Sequence, residues 1–294
     1  MSSMQGQGLF SQARIGWLSA VAVAAYALLF IALPYANVGV MSFWEKDLYS
    51  IRPAFSFTNY ERIFARSVYS QVVSNSLATA AYVTLASSVL GYLLAYFMAT
   101  YARRWQFLLL ALLMIPLWTS FLLRAYIWKI ILGRNGILNT AMMAAGVIEQ
   151  PLSFLLYNQF SICLALTYIF LPFVALPVYA ALERIPREYV EASGDLGAPP
   201  LATFFHVVFP LSVPALLSGV TIVFCLSFGD FITPALLGGS DDIMIANVVI
   251  SQFGAAFDWP FGSALAIGVL CVVVALVTFS QRLGNMAGRA RSGE

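Results

Sequence analysis

Charge is what this sequence has least of. Among 294 residues there are 15 Lys or Arg and 13 Asp or Glu, 10% in all, against roughly 25% in an ordinary soluble domain. That scarcity excludes a soluble globular enzyme, a disordered chain and a nucleic-acid-binding protein. Lysine occurs only at Lys46 and Lys129, and neither follows a glycine. A phosphate-binding loop ending in Gly-Lys is therefore missing, and ATP hydrolysis by that route with it. His206 is the single histidine, too few for a typical zinc site or a histidine pair. The three cysteines, Cys163, Cys225 and Cys271, lie in apolar stretches without Cys-x-x-Cys spacing and read as small buried hydrophobes. Intramembrane proteolysis also lacks its parts. Ser227-Phe228-Gly229-Asp230 has neither the preceding glycine nor a second intramembrane aspartate to share the proton work. Ser193-Gly194 and Ser218-Gly219 lack a glycine two positions before the serine.

What is abundant is apolar surface: 61% of the residues are hydrophobic and mean hydropathy is +0.85. Runs free of Asp, Glu, Lys and Arg cover Ile15–Trp44, Ser67–Ala102, Trp105–Leu123, Gln150–Leu182, Leu196–Gly229 and Trp259–Gln281. A spanning helix needs about 20 mostly apolar residues, and lipid offers an open backbone no hydrogen-bond partner. The expected fold is an all-α integral membrane protein, one transmembrane domain over 1–294. Its six spanning helices fall near 15–40, 72–101, 106–131, 158–182, 211–232 and 261–282. These runs are too long and too uniformly apolar for barrel strands. The first is also longer than the core of a signal peptide, which predicts an uncleaved helix. Asn135–Ile148 and Ile243–Phe257 are too short to span and read as short helices outside the bilayer or re-entering it. Ser240-Asp241-Asp242 is expected to cap the second of these. Six spans put both termini on one side, and the tight Arg103-Arg104 connection marks that side as cytoplasmic.

The segment between the fourth and fifth spans, 183–210, carries more turn hardware than a bland loop needs. Pro186 suits a first helical position. Gly197 can supply a positive φ that ends the first helix. Pro199 or Pro200 can start a second helix, and Pro210 is expected to end or kink it. The segment predicts a rigid helical corner of mixed charge. It reads Glu191-Ala192-Ser193, three residues, Gly197, nine residues, then Val207-Val208-Phe209-Pro210. In order, spacing and position it resembles the EAA loop of the membrane subunits of bacterial ABC importers. Ser193, Val207 and Phe209 replace that pattern's Ala, Ile and Leu.

The resemblance implies a coupling role for Glu191, Ala192, Ser193, Gly197 and Pro210, docked in a groove of a separate ATPase subunit. It further implies two such ATPases, a second related permease, and an external solute-binding protein. The chain would bind no cofactor, ATP being used by its partners, and would sit in the bacterial inner membrane. Two further stretches are similar to the spermidine/putrescine group of these permeases: Pro116 to Arg124, and Gly229-Asp230-Phe231-Ile232-Thr233-Pro234 through Gly239. A polyamine is the solute this implies, with opines, iron, phosphonates and small amino acids as alternatives in the same group.

The residues themselves give a cation some support. A carboxylate at the end of an apolar span, Asp230, is expensive and usually functional; the alternative is an interfacial Asp that snorkels or pairs with Arg124. Trp118 offers a π face to an ammonium, or a belt residue to the interface. Thr233-Pro234 would break the helix and free a carbonyl. Gly238-Gly239 suggests a tight external turn that meets the binding protein. The rival from another class, a secondary carrier, would need a chain of intramembrane acids or an inverted repeat, and the spans show neither.

Overall fold

The computed structural model describes Trp17, Val21, residues 23–47 and residues 50–292, with side chains through Arg282. The start of the predicted first span, 15–22, lies largely outside the described residues. The chain divides into two compact units, one of residues 1–65 and 251–268, the other of residues 66–250 and 269–294.

The first unit begins with α1 (Val23–Met41), long and apolar enough to cross a membrane, none of whose residues is buried by the rest of the chain. A two-stranded antiparallel hairpin follows, β1 (Glu45–Lys46) with β2 (Ile51–Arg52), in the register Glu45 to Arg52 and Lys46 to Ile51. Then comes α2 (Thr58–Ala65). A two-residue hairpin cannot hold itself together, so side chains do it. Asn59 donates to Ser42 O at 2.9 Å and Trp44 O at 2.8 Å. The Phe43 and Phe55 rings stack at 4.7 Å. Arg62 Nη1 meets Asp258 Oδ2 at 2.8 Å, and its guanidinium lies 4.1 Å from the Phe261 ring centroid.

The second unit carries the remaining spans. They are α3 (Ser67–Thr100), α4 (Gln106–Met114), α5 (Phe121–Leu132), α6 (Ile137–Ala144) and α7 (Gln159–Glu183). A short α8 (Arg187–Asp195) leads to α9 (Pro200–Phe228), α10 (Ile232–Leu237), α11 (Ile245–Phe253) and α12 (Trp259–Ser292), the last two shared with the first unit. Among the described residues five helices are long and apolar enough to cross, and the number is six when the bent pair, Arg103–Trp118 with Phe121–Ala144, is counted as one broken span.

The core is α3, α7 and α9 packed on one another. Lipid tails are as apolar as leucine, so close approach rather than water exclusion must hold helices together in a membrane. Small residues permit it: Ala80, Ala95, Ala165 and Ala175 are fully buried. Pro177 lacks an N–H, which leaves the Phe173 carbonyl without its helical partner. Gly219 of α9 lies against that point; a Cβ there would sit 3.0 Å from Phe173 O and 2.9 Å from Val174 Cα. The orphaned carbonyl thus faces a backbone that comes close because it has no side chain. Tyr92 and Ser212 hydroxyls, 2.8 Å apart, tie α3 to α9.

Three expectations change here. The predicted third span is not one straight helix: it passes into a 3-10 turn at Ile115–Trp118, breaks at Thr119 (φ −90°, ψ 152°) and Ser120, and restarts bent by 100°. Pro116 tightens the turn and Thr119 Oγ1 donates to Pro116 O at 2.7 Å, a local bond that competes with helix continuation. The fifth span ends at Phe228 rather than near 232. The sixth begins at Trp259 and runs to Ser292, past its predicted end.

Candidate functional site

The corner forms as two helices at the start of α9. Pro186 sits one residue before α8, as its cap with φ −60° and ψ 134°, not at its first helical position. Gly197 ends α8 at φ +79°, a conformation costly for any residue with a Cβ. Its amide donates to Gly194 O at 2.8 Å, and Ala198 N reaches Ser193 O at 3.1 Å, the six-to-one closure of a Schellman end. Pro200 then opens α9, with Pro199 as its cap.

Pro210 does not end the second helix. The chain runs through it by widening one turn, Phe204–Val208, into a π-helical bulge in which Phe209 N bonds Phe204 O. A proline ring clashes with the carbonyl four residues back, here that of His206. The wider turn immediately before Pro210 relieves that clash without interrupting the rod. The corner is therefore continuous with the spanning helix.

Ser193 Oγ and Thr203 Oγ1 lie 2.9 Å apart and lock α8 against α9. Thr203 is buried; sequence reasoning missed it, although its place ten residues after a motif serine on the next helix is the signal that was available. Glu191 and Ala192 are exposed, and Glu191 has no hydrogen bond or ion pair among the described residues. With Arg187 it borders a cleft of about 350 Å³ whose other walls include Tyr96, Thr100, Arg103 and Ile185. Leu196 (88% exposed) and Leu201 (70%) present apolar surface beside them.

At the other end of α9 the geometry differs. Gly229 closes the helix and Asp230 starts the next turn. Its carboxylate accepts from Ile232 N at 3.1 Å and Thr233 N at 3.2 Å, and Asp230 is 6% exposed. Among the described residues it makes no ion pair with Arg124. Thr233-Pro234 does not break the fifth span; it lies in the first turn of α10, where a missing N–H leaves no gap. Thr233 is fully buried beside the cap. Trp118, at the end of the 3-10 turn, is 84% exposed. The structure thus brings Asp230 and Thr233 together, and records no bond from either to Trp118.

The glycine pair lies in a tight turn, as expected, while the acids after α10 differ from expectation. A Cβ on Gly239 would lie 2.7 Å from the Tyr157 carbonyl, so Gly238-Gly239 serves an internal approach. Asp242 Oδ2 accepts from Gly239 N at 3.0 Å, closing that turn. It does not cap α11, whose Ile245 amide is taken instead by Ser76 Oγ at 2.8 Å. Three buried polar side chains nearby in the fold have atoms without partners among the described residues: Thr233 through Oγ1, Arg124 through Nε and Nη1, and Asn247 through Oδ1. Asn247 Nδ2 donates to Phe231 O at 2.7 Å. Among the described residues no group of three or more His, Cys, Asp or Glu could hold a metal ion.

The described residues thus form a multi-span helical membrane protein with an exposed helical corner built into one span. Residues 87–290 match the family model described as binding-protein-dependent transport system inner membrane component, and the chain belongs to that family. It is 35% identical over 269 residues to the spermidine/putrescine transport system permease protein PotB of Haemophilus influenzae, covering 91% of this chain and 93% of that one. The protein of the same name from Escherichia coli strain K12 is 36% identical over 258 residues, 87% of this chain and 93% of that one. A crystal structure of a bacterial ABC transporter that imports the acidic polysaccharide alginate shares the fold, with a TM-score of 0.75 at 16% identity over 95% of this chain and 98% of that chain. The chain is a non-catalytic, multi-pass inner-membrane permease subunit of an ABC importer; in this family ATP is used by separate partner subunits.

Proposed function

We propose that this permease forms half of the path for a polyamine, spermidine or putrescine, in an importer worked by alternating access. Two ATPase subunits dock on the corners of two facing permeases, the second a related but different chain. An external binding protein delivers the solute. Both termini and the corner lie in the cytoplasm, which the Arg103-Arg104 connection on the same side supports.

The observation that carries the coupling role is the continuity of the corner with α9 through the bulge at Phe204–Val208. A rod fixed at Ser193–Thr203 transmits a displacement that a flexible loop would absorb. Glu191, exposed and unpartnered within the described chain, offers its carboxylate to a cation on the ATPase. Ala192 and Ser193 allow close approach, Gly197 sets the turn, and Pro210 sets the bulge.

For the solute, the relatives' names and the residue chemistry point to an amine. In this reading Trp118 presents its ring to the path, while Asp230 and Thr233 hold the turn and its negative charge at the outer end of α9. A second reading has one observation in its favour: the unpaired Nε and Nη1 of Arg124 suit a carboxylate or phosphonate. Uptake of radiolabelled spermidine into vesicles of the assembled importer separates the two. ATP-dependent uptake that excess putrescine suppresses and excess opine or phosphonate leaves unchanged supports the amine. The opposite competition pattern sinks it.

A further inference from the structure

The middle of α9, from Pro214 to Ile222, and residues 277–281 of α12 border a cleft of about 590 Å³ that the coupling and path residues do not use. Ser218, Thr221, Ser280 and Gln281 line it, between apolar walls that include Leu217 and Val277. Thr221 and Ser280 hydroxyls bond across the two helices. Ser218 donates to Ala215 O at 2.7 Å and Thr221 to Leu217 O at 2.7 Å. A hydroxyl that has spent its one proton on a carbonyl keeps lone pairs free to accept. The Ser218 and Thr221 hydroxyls therefore present acceptors, Gln281 adds an amide that both accepts and donates, no acid or base stands among the lining residues, and the walls are aliphatic.

We propose that this cleft is an inner subsite for a linear aliphatic amine on its way to the cytoplasm. The inference rests on the amine reading above. Methylenes lie against Leu217 and Val277, and N–H groups donate to Ser218, Thr221 and Ser280 oxygens. The absence of a carboxylate among the lining residues suits release, since a site that passes solute on must hold it weakly. Because α9 is one rod from the corner to Thr221, displacement of the corner moves one wall of the cleft and works against the Thr221–Ser280 bond.

The test uses the complete importer in vesicles. Ser280→Cys is exposed to a membrane-impermeant cationic thiol reagent, and modification is read by peptide mass spectrometry against native Cys271, an exposed cysteine of the same helix. The expected result is labelling of position 280 well ahead of Cys271, slowed about fivefold by spermidine, the scale of one hydrogen bond of about 1 kcal/mol. Thr221→Val with Ser280→Ala lowers maximal spermidine uptake by a similar factor while ATP hydrolysis still responds to the binding protein. Equal, slow labelling of both positions, with reaction only towards a lipid-soluble reagent, makes the cleft a lipid-facing groove and overturns the proposal. Parent vesicles are assayed for spermidine uptake alongside. No uptake sinks the amine reading and the amine subsite with it; uptake without protection at position 280 sinks the subsite alone.

Discussion

The two ends of α9 carry similar residues and use them in opposite ways. Each has an acid, a glycine and at least one proline within a few positions. At the corner the glycine and prolines build the shape and leave the acid free: Gly197 takes φ +79°, Pro200 opens the helix, and Glu191 stays exposed. At the other end the acid itself does the building. Asp230 spends its carboxylate on two backbone amides and is buried at 6% exposure. An acid that no neighbour holds is available to a partner; an acid bonded to its own backbone is first a structural element, and any effect on solute comes through its charge and the turn it orders.

The largest effect that should separate the two ends is on transport. Glu191→Ala is expected to abolish ATP-dependent uptake with insertion and thermal stability of the purified chain unchanged, because nothing within the described chain depends on that carboxylate. A fall in melting temperature comparable to that of a cap mutant would erase the contrast. Asp230→Ala should show the reverse signature, losing about 1–2 kcal/mol of stability, the usual worth of a side chain that caps backbone amides, read as a lowered melting temperature in detergent.

Asp230→Asn sharpens the comparison, since its one oxygen can still accept from one of the two amides that now bond separate carboxylate oxygens, but it carries no charge. It should keep more stability than Asp230→Ala and less than the wild type, while raising the spermidine concentration needed for half-maximal uptake; unchanged kinetics would remove the charge of Asp230 from the path. At Gly197 the positive φ costs a residue with a Cβ about 1–2 kcal/mol, and no atom lies within 4 Å of an added Cβ. Gly197→Val should therefore weaken coupling, measured as uptake per ATP hydrolysed, and Gly197→Asn should restore much of it. The smallest effect belongs to Ser193→Ala, which removes the bond to Thr203 at a cost of about 1 kcal/mol and should lower coupling modestly without affecting assembly.

Sequence reading reached the spans because their signal is cumulative. Some twenty apolar residues outvote any local irregularity, and the end of α7 at Glu183 fell within one residue of its expected place. The corner was legible for a different reason: its turn residues act on their own backbone, so Gly197 needs no distant partner to predict its φ. What escaped depends on groups far apart in the chain. The amide of Ile245 is capped by Ser76, which no inspection of Ser240-Asp241-Asp242 reveals. Gly239 is small because Tyr157 O is near. The bend at Thr119-Ser120 and the bulge before Pro210 are local, yet a proline has several ways to be accommodated, and packing selects among them. Of the proposed path residues, Trp118 and Asp230 were legible as unusual, but their surroundings were not.

Co-purification tests the central claim most directly, that the corner is where this permease is driven. The tagged chain, wild type and a Glu191→Ala, Gly197→Val double variant, is purified from the membrane in mild detergent, and intact masses of all co-purifying chains are recorded. The account predicts an ATPase subunit and a second, different permease with the wild type, and selective loss of the ATPase from the double variant while the second permease remains. A wild-type chain that comes out alone or as a homo-oligomer in several detergents, and that transports in ATP-free vesicles, would contradict it.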